Sequence, residues 1–477
     1  MLNQIVIEKN YLSNQIAIIR DNEFTRFYMN TIFSEDVQNK IVVGQVTQVV
    51  KNINAVFIDF GSNKNGILHL KQIPQDVYSK INVGTKLPVQ IMKQNTGEKG
   101  HKLTAKVNLS GKFFVFMPFE RGINISRKIK DSKRKHELKC FVEKYVGEKY
   151  GVIVRTHAET QSESELIEDI NKLSSITDTF MQTKDYFEKG TVLYQEPPFH
   201  IQVIRENINK DNKYEIVCDD ENYLYEIKKD IDSLYSTLNI NYKLCKEPEG
   251  IFSVYGVEKK RTELFNRRVW LKNGGNLIID YTEAMTVIDV NSAKSGGRNS
   301  YSKNALSLNM LAIKECVFQI MLRNLSGMIL VDLVEMYDED QKKQVYEYTK
   351  DILKKYGDKR TKVFPLTELG ILQFSRTKKY QSLPQQLYES CTNCYGVFGK
   401  KSNYFLSIII EKKIKEISMR TEISELFIKL NEELFSFFKD TGLIQKLSLQ
   451  YSVQIYPQKC DKKLDNEFEI TFIGNND

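Results

Sequence analysis

The chain has few cysteines and histidines for its length, and it lacks a long uninterrupted apolar run. Its 477 residues include 7 cysteines, an odd and mostly scattered set that argues against a disulfide framework. The N-terminus, MLNQIVIEKN, lacks the continuous apolar core of a signal peptide. No run approaches the roughly 18 apolar residues of a membrane span. These absences predict a cytoplasmic protein without a membrane segment.

Composition otherwise describes an ordinary soluble globular protein, with 41% hydrophobic and 27% charged residues. The length exceeds one hydrophobic core and predicts about three to five modules. The 69 basic residues outnumber the 61 acidic residues, which gives a formal net charge of +8. This modest excess fits a polyanionic partner but does not require one.

One stretch, residues 265–336, is predicted to form a β-hairpin, a helix and a buried strand. Its β-rich runs are joined by a short polar turn, and its helix carries apolar residues at helical spacing. Gly327 is expected to end the helix before a short apolar strand. The expected elements are Leu277–Tyr281, Met285–Val290, Asn304–Leu325 and Met328–Val334.

Two carboxylates occupy positions in this stretch where apolar residues are expected. Asp289 and Asn291 share one strand face, and Asp332 interrupts the most hydrophobic strand. A buried ionised carboxylate is costly unless a cation or hydrogen-bond donors compensate it. Two such groups with an amide oxygen would suit Mg²⁺. The alternative is that each aspartate caps a turn or pairs with one of three arginines, Arg267, Arg268 and Arg323.

Cys391 and Cys394 form a single C-x-x-C within SCTNCYGVFGK. Structural zinc sites take four ligands, but no histidine follows His200 and only Cys460 lies beyond the pair. Two chains that each give two thiolates would complete a zinc site. A redox pair or two free thiols fit the same spacing.

Residues 41–73 combine short strands with turns that contain glycine and asparagine, which predicts a small barrel. Basic residues cluster between positions 126 and 139, a pattern typical of a solvated helix face or of a surface that attracts phosphates. Residues 403–450 are predicted to be helical, and the segments YSVQIYPQ and FEITFIG are predicted to form a terminal hairpin.

Four ordered motifs, VIDVNSAK, ILVDLVEM, LTELGILQFSRTK and CTNCYG, resemble the ribonuclease E/G family of endoribonucleases. The resemblance extends over nearly the whole chain, and the layout is closer to the shorter ribonuclease G type. It implies that Asp289 and Asp332 hold a catalytic Mg²⁺ and that Asn291 helps to orient them. Lys294 would neutralise charge on the scissile phosphate.

The resemblance also implies residues that bind RNA and zinc. Phe57 and Lys99 would contact single-stranded RNA on an S1-type barrel, although from burial statistics alone Phe57 fits a core position better. Cys391 and Cys394 would share one Zn²⁺ between two chains. A pocket for a 5′-monophosphate would comprise Gly111, Val115, Arg155 and Thr156, with Arg360 as a fifth member.

The implied fold is α+β and multidomain, with an S1-type OB barrel inserted in a ribonuclease-H-like subdomain. A DNase-I-like α/β catalytic subdomain, a zinc-link and a small C-terminal α+β domain would follow. The expected ranges are 1–35 with 200–264 for the ribonuclease-H-like part, 36–110 for the barrel, 111–199 for the phosphate sensor, 265–385 for the catalytic part, 386–400 for the zinc-link and 401–477 for the oligomerisation domain.

The expected activity is metal-dependent cleavage within single-stranded RNA that leaves 5′-phosphate and 3′-hydroxyl ends, in RNA processing and decay. A 5′-monophosphate would stimulate it, and the protein would be a homodimer or a tetramer. Two departures bear on this expectation: Ile67 replaces an aromatic residue of the barrel, and Leu311 replaces a glutamate of the catalytic helix. One alternative is an RNA-binding protein with weak or lost cleavage. Another is a deoxyribonuclease or a different metal phosphodiesterase.

Overall fold

The chain divides into two compact units, a discontinuous unit of residues 1–34 and 199–477 and an inserted unit of residues 35–198. The computed structural model describes residues 2–32, 39–62, 64–79, 81–93, 101–127, 129–183, 187–208, 212–232, 238–292, 301–356, 358–389, 400–420, 423–460 and 468–474.

Three antiparallel strands open the discontinuous unit. Their bounds are β1 (Leu2–Lys9), β2 (Ser13–Arg20) and β3 (Glu23–Thr31). Apolar side chains lie on both faces of these strands, so the pattern is that of a sheet covered on both sides. Both hydrophobic faces therefore need partners from later in the chain.

The inserted unit begins with a closed barrel, as the sequence predicts. Its strands follow the order β4-β5-β6-β8-β7, and β4 also pairs with β7, which closes the sheet. The interior is filled by aliphatic side chains that include Val56, Ile58 and Leu68. The elements are β4 (Ile41–Val50), β5 (Ala55–Asp59), β6 (Gly66–His69), α1 (Gln75–Tyr78), β7 (Lys86–Lys93) and β8 (Lys102–Thr104).

A four-stranded sheet with two long helices completes the inserted unit. The strand order is β11-β12-β10-β9, and a separate strand, β13, pairs with β4 of the barrel. The basic segment forms helix α2, whose N-terminus is capped by the Asp131 carboxylate. The elements are β9 (Leu109–Ser110), β10 (Phe114–Met117), β11 (Ile123–Ile125), α2 (Ser132–Val146), β12 (Gly151–Val154), α3 (Glu163–Thr183) and β13 (Val192–Tyr194).

The chain then returns to the first sheet, where β14 pairs in parallel with β1. The completed strand order is β15-β14-β1-β2-β3. Strands that precede the inserted unit and strands that follow it therefore form a single sheet. The new elements are α4 (Phe199–Asn207), β14 (Lys213–Cys218), α5 (Glu221–Asp232), β15 (Ile240–Leu244), α6 (Ile251–Val254) and α7 (Glu258–Glu263).

A second large sheet follows, with strand order β16-β17-β18-β19-β21-β20. Its parallel pair, β18 and β19, is joined by the long helix α8. The elements are β16 (Arg268–Trp270), β17 (Asn276–Tyr281), β18 (Met285–Asn291), α8 (Tyr301–Leu322), β19 (Gly327–Asp332), α9 (Glu339–Lys355), β20 (Thr361–Phe364) and β21 (Ile371–Arg376).

Helix α8 belongs to a core shared by the two large sheets of the discontinuous unit. Phe27 of β3, Ile288 of β18 and Val317 of α8 belong to the same buried cluster. This position explains why 18 of its residues, Ala305–Leu322, have the mean hydropathy of 1.4 that would also suit a membrane helix. Within that window 67% is buried by the protein itself, as in the core helix of a globular domain. Asn324, at φ 51°, ends the helix rather than the predicted Gly327.

The C-terminal part contains a three-stranded sheet that differs from the predicted hairpin. The strands of the two terminal segments, β25 and β26, lie on opposite sides of β24 and do not pair with each other. Strand β24 also interrupts the region predicted to be helical. The elements are α10 (Leu383–Leu387), β22 (Tyr388–Glu389), β23 (Lys400–Lys401), α11 (Asn403–Arg420), β24 (Ile423–Leu430), α12 (Glu432–Thr441), α13 (Leu443–Tyr451), β25 (Gln454–Lys459) and β26 (Phe468–Gly474).

The predicted mixed α+β class is confirmed, and the predicted barrel has five strands. The subdomain names, their boundaries and the zinc-link stay predictions.

Candidate active site

The two predicted metal-binding aspartates are neighbours across one strand pair. Strands β18 and β19 run in parallel, and Asp289 is the register partner of Asp332. Paired residues of adjacent strands project their side chains to the same side of a sheet. Both aspartates also lie at or near the carboxyl ends of their strands, where the sites of α/β sheets are commonly found. The two carboxylates therefore lie on one face and at one edge.

Both carboxylates are exposed, which corrects the expectation of a buried site. Asp332 is the last residue of β19 rather than a residue in its middle, and its neighbour Val331 is buried on the opposite face. In β18 the burial also alternates, so that Ile288 and Val290 enter the core while Asp289 faces outward. The desolvation cost of two buried charges therefore does not arise.

Asn291 and Asp289 are hydrogen-bonded, as their shared strand face suggests. The Asn291 Nδ2 donates to Asp289 Oδ2 at 2.8 Å. This bond restricts the Asp289 carboxylate, and among the described residues no side chain bonds to its other oxygen. This hydrogen bond is the contact by which Asn291 would orient Asp289, the role that the resemblance implies.

The three arginines that offered an alternative explanation have other contacts in the structure. Arg267 forms a salt bridge with Asp280, and Arg323 donates to the Tyr281 hydroxyl and to the Asn266 carbonyl. Arg268 places its guanidinium over the ring of Trp270. Within the described ranges, neither active-site aspartate forms an ion pair. Lys294 is outside the described residues.

Asn309 is a buried polar residue near the two aspartates that the sequence analysis did not identify. Its side chain lies on α8, is fully buried, and makes two bonds with Val334 just beyond Asp332. The Nδ2 donates to the Val334 carbonyl at 2.7 Å, and the Oδ1 accepts from the Val334 N–H at 3.0 Å. In the sequence, the feature that could have identified Asn309 is an amide side chain on the apolar face of a predicted helix. Leu311, the departure noted on this helix, packs half-buried against the core.

The barrel presents a row of three side chains on its outer face. Phe57 of β5 is the register partner of Ile67, and Ile67 is the register partner of Lys102. Lys102 is exposed and was not predicted, whereas the predicted Lys99 is outside the described residues. Phe60 is buried against His101, so it does not replace the missing aromatic at Ile67.

Four of the predicted 5′-phosphate residues lie together in the inserted unit. Val115 of β10 pairs with Ile153 of β12, the strand that leads directly to Arg155. The Arg155 Nη1 donates to the Gly111 carbonyl at 2.8 Å. Thr156 shares a hydrogen bond with the Ser126 hydroxyl at 2.9 Å. The side chains of Val115, Arg155 and Thr156 are half-buried.

Asp169 of α3 is a second residue that sequence reasoning missed. Its carboxylate accepts from three consecutive backbone N–H groups, those of Lys112, Phe113 and Phe114, at 2.9, 2.7 and 3.2 Å. A Cβ at Gly111 would lie 2.7 Å from this carboxylate, so packing against α3 requires a glycine there. The loop between β9 and β10 is thus fixed by α3.

Arg360, the fifth predicted phosphate residue, belongs to the discontinuous unit. Its Nε lies 3.9 Å from Asp358 Oδ1, and Asp358 also pairs with the buried Arg376. The Arg360 Nη1 is buried and has no hydrogen-bond partner among the described residues.

The cysteines of the predicted zinc-link, Cys391 and Cys394, are outside the described residues. In the part of the chain that the structure covers, no group of three or more histidine, cysteine or acidic side chains could hold a metal ion. The described cysteines are free thiols, and three of them, Cys218, Cys245 and Cys316, are buried.

The chain is similar in sequence to known proteins over much of its length. Residues 108–379, more than half of the chain, match the model of the Ribonuclease E/G family. The chain belongs to the ribonuclease E/G family, and it is an endoribonuclease. The resemblance predicted from the ordered motifs is confirmed.

Individual relatives extend the match over most of the chain. Ribonuclease G from Haemophilus influenzae is 28% identical over 398 residues, which cover 80% of this chain and 81% of the relative. Ribonuclease G from Escherichia coli K12 is 27% identical over 415 residues, with 83% and 84% covered. Ribonuclease E from Haemophilus influenzae is 27% identical over 417 residues, which cover 84% of this chain but 44% of that longer protein.

Proposed function

We propose that this protein is a metal-dependent endoribonuclease that cleaves single-stranded RNA to 5′-phosphate and 3′-hydroxyl ends. We further propose that a 5′-monophosphate on the substrate stimulates cleavage, and that the enzyme acts in cytoplasmic RNA processing and decay. The observation that carries the proposal is the register of Asp289 with Asp332, because it places two carboxylates on one exposed sheet face.

The donor set fits a divalent cation that prefers oxygen. Asp289 and Asp332 offer carboxylate oxygens, and no described cation neutralises either one. Mg²⁺ is bound in proteins by one or two carboxylates and retains several waters, so a third protein carboxylate is not needed. Two carboxylates on one sheet face are therefore sufficient protein ligands for such an ion. The ion would neutralise phosphate charge and lower the pKa of an attacking water.

The surrounding side chains have positioning roles in this proposal. The bond from Asn291 holds one oxygen of Asp289 in place. Asn309 fixes the backbone two residues after Asp332. Lys294 would neutralise charge that develops on the phosphate.

RNA recognition is assigned to the inserted unit. Phe57 and a basic side chain, Lys102 beside it or the predicted Lys99, would hold the strand by stacking and by phosphate contact. Arg155 and Thr156, with Gly111 and Val115, would receive the 5′-monophosphate. Binding the RNA end as well as the cleaved segment raises the effective concentration of substrate. End recognition would therefore stimulate without taking part in the chemistry.

Zinc and assembly complete the proposal. Cys391 and Cys394 of two chains would share one Zn²⁺ and link the chains as a dimer. Replacing both cysteines by serine is expected to abolish stoichiometric zinc and to reduce the particle mass in light scattering. An unchanged zinc content would overturn this assignment.

The central test is cleavage of a labelled single-stranded oligoribonucleotide with Mg²⁺ and then with EDTA. Asp289→Asn and Asp332→Asn are each expected to lower kcat at least about 10²- to 10³-fold, with RNA binding retained. Asp280→Asn is the matched control, since Asp280 lies on the same sheet but is already paired with Arg267. Wild-type cleavage rates in both active-site variants would refute the assignment.

The same assay separates the remaining alternatives. A retarded gel band without cleavage in Mg²⁺ would identify an RNA-binding protein that no longer cuts, and preferred cleavage of DNA would identify a deoxyribonuclease. Substrates with a 5′-monophosphate or a 5′-hydroxyl test the sensor. The preference for the monophosphate is expected to disappear in Arg155→Ala while cleavage of the 5′-hydroxyl substrate persists.

A further inference from the structure

Trp270 is the single tryptophan of the chain, and 66% of it is exposed. It lies on β16, the edge strand of the sheet that carries the two aspartates. Its neighbour Val269 points the other way and is buried. A large aromatic side chain that is exposed to solvent on an ordered strand is common in binding surfaces.

Strand register connects this ring to the active site. Trp270 pairs with Asn276, and Asn276 pairs with Asn291. The adjoining row on the same face runs from Arg268 through Ile278 to Asp289. Two strand spacings, about 10 Å, therefore separate the backbone of Trp270 from that of Asn291. The indole and the carboxylates face the same side of one rigid sheet.

The immediate surroundings of the ring are polar and positively charged. The Arg268 guanidinium lies over the indole, 5.5 Å from the ring centroid. Asn276 lies next to it on the sheet, and Arg268 makes no ion pair with any described residue. An aromatic face beside a free cation is the combination that binds single-stranded nucleic acid, because the base stacks and the phosphate is neutralised.

We propose that Trp270 stacks on a base of the RNA strand a short distance from the scissile phosphate, and that Arg268 contacts the neighbouring phosphate. The proposal rests on the proposed function, since it takes RNA as the substrate at Asp289 and Asp332. It adds a subsite that aligns the strand along the sheet face. A second protein chain fits the surface less well, because amide and guanidinium groups flank the ring where an interface core would be apolar.

The single tryptophan provides a direct measurement. Asp332→Asn, which is expected not to cut RNA, is titrated with a single-stranded oligoribonucleotide in Mg²⁺ while tryptophan emission is recorded. Stacking on the indole is expected to quench the emission saturably, with the midpoint found for binding by anisotropy of a labelled strand. Full binding by anisotropy with unchanged emission would overturn the proposal.

Kinetics provide the second measurement. Trp270→Ala is expected to lower kcat/KM about 5- to 150-fold, whereas Trp270→Phe keeps an aromatic face and stays within about 5-fold of wild type. Tyr225→Ala is the control, because Tyr225 is 70% exposed on α5 outside this sheet. Urea unfolding of each variant checks that its fold is kept. Equal kcat/KM in Trp270→Ala and wild type would refute the subsite.

The two proposals fail in different ways. If the proposed function is wrong, the wild type does not cut RNA in Mg²⁺, whatever the emission does. If only the subsite is wrong, the wild type cuts and Trp270→Ala cuts equally well. Emission that shifts with protein concentration in the absence of RNA, together with unchanged cleavage by Trp270→Ala, would assign the ring to a contact between two copies and overturn the subsite.

Discussion

Replacing Asn309 by alanine is expected to destabilise the protein and to slow cleavage together. The side chain is fully buried in α8 and makes both a donated and an accepted hydrogen bond with the backbone of Val334. Alanine removes both bonds and leaves the N–H and the carbonyl of the half-buried Val334 without them. Each neutral bond contributes about 1 kcal/mol, and an orphaned buried group costs about 1–3 kcal/mol. The expected loss of unfolding free energy is therefore about 2–4 kcal/mol.

The effect on activity follows from the position of Val334. Asp332 precedes it by two residues, so movement of this backbone also moves a carboxylate of the proposed metal site. Misplacement of a catalytic group by about 1 Å costs on the order of 100-fold in rate. We expect Asn309→Ala to lower kcat about 10- to 100-fold. KM should change little, because the barrel that is proposed to contact RNA is untouched.

Urea unfolding followed by circular dichroism and single-turnover cleavage of labelled RNA measure the two effects. Ser307→Ala is the matched control, because Ser307 is exposed on the same helix. At a pH that keeps its carboxyl group neutral, Asn309→Asp retains an acceptor for the Val334 N–H and one O–H donor for the Val334 carbonyl, so its stability should fall between those of wild type and the alanine variant. An alanine variant within about 0.5 kcal/mol of wild type and with equal kcat would refute the reasoning.

Three further predictions concern other parts of the chain. Burial, and secondarily the charge of Lys9, lower the pKa of His200 to about 4, so the unfolded state binds more protons between pH 6.5 and 4. The contribution of His200 to the free energy of unfolding is therefore fully present above pH 6.5 and is about 2 kcal/mol smaller at pH 5. In urea unfolding, His200→Gln should lack this dependence of the unfolding free energy on pH. An equal pH dependence of the unfolding free energy in wild type and in His200→Gln would contradict the prediction. Ile67→Phe adds a ring beside Phe57 and should tighten RNA binding about 5-fold or more in fluorescence anisotropy, whereas unchanged affinity would place this face outside the RNA path. Gly275→Ala would bring a Cβ within 2.8 Å of the Asn291 carbonyl oxygen, and it should therefore reduce kcat. Wild-type stability and kcat in this variant would contradict the prediction, because they would show that the turn accommodates the methyl group.

The sequence was sufficient to name candidate residues for the site but not to predict their arrangement. Alternation along β18 correctly placed Asp289 and Asn291 on one face, since side chains of a strand alternate whatever its partners are. The pairing of Asp289 with Asp332 depends on the register between two strands separated by a helix. Register is fixed by the packing of the whole sheet, and a local pattern does not contain it.

The error at Asp332 has a similar cause. Apolar residues stand on both sides of it, so the run looked like one strand with a charge at its centre. The strand in fact ends at Asp332, and Leu333 is buried beyond its end, outside the ladder. A run of apolar letters does not distinguish burial within a strand from burial after it. Strand β24 was missed in the same way, because helices stand on both sides of its alternating sequence ISELFIKL.

The arrangement of α8 explains how an exposed sheet face could hold the proposed active site in place. The connection from β18 through α8 to β19 is a β-α-β unit, and such a crossover brings two parallel strands side by side with their carboxyl ends at one edge. Because α8 lies in a core shared with the first sheet, that edge is rigid although its outer face is open to solvent. Substitutions on the open face, at Asp289 or Trp270, should therefore change cleavage with little loss of stability. Substitutions on the inner side, at Asn309, should change both. A large loss of stability in Asp289→Asn would contradict this separation.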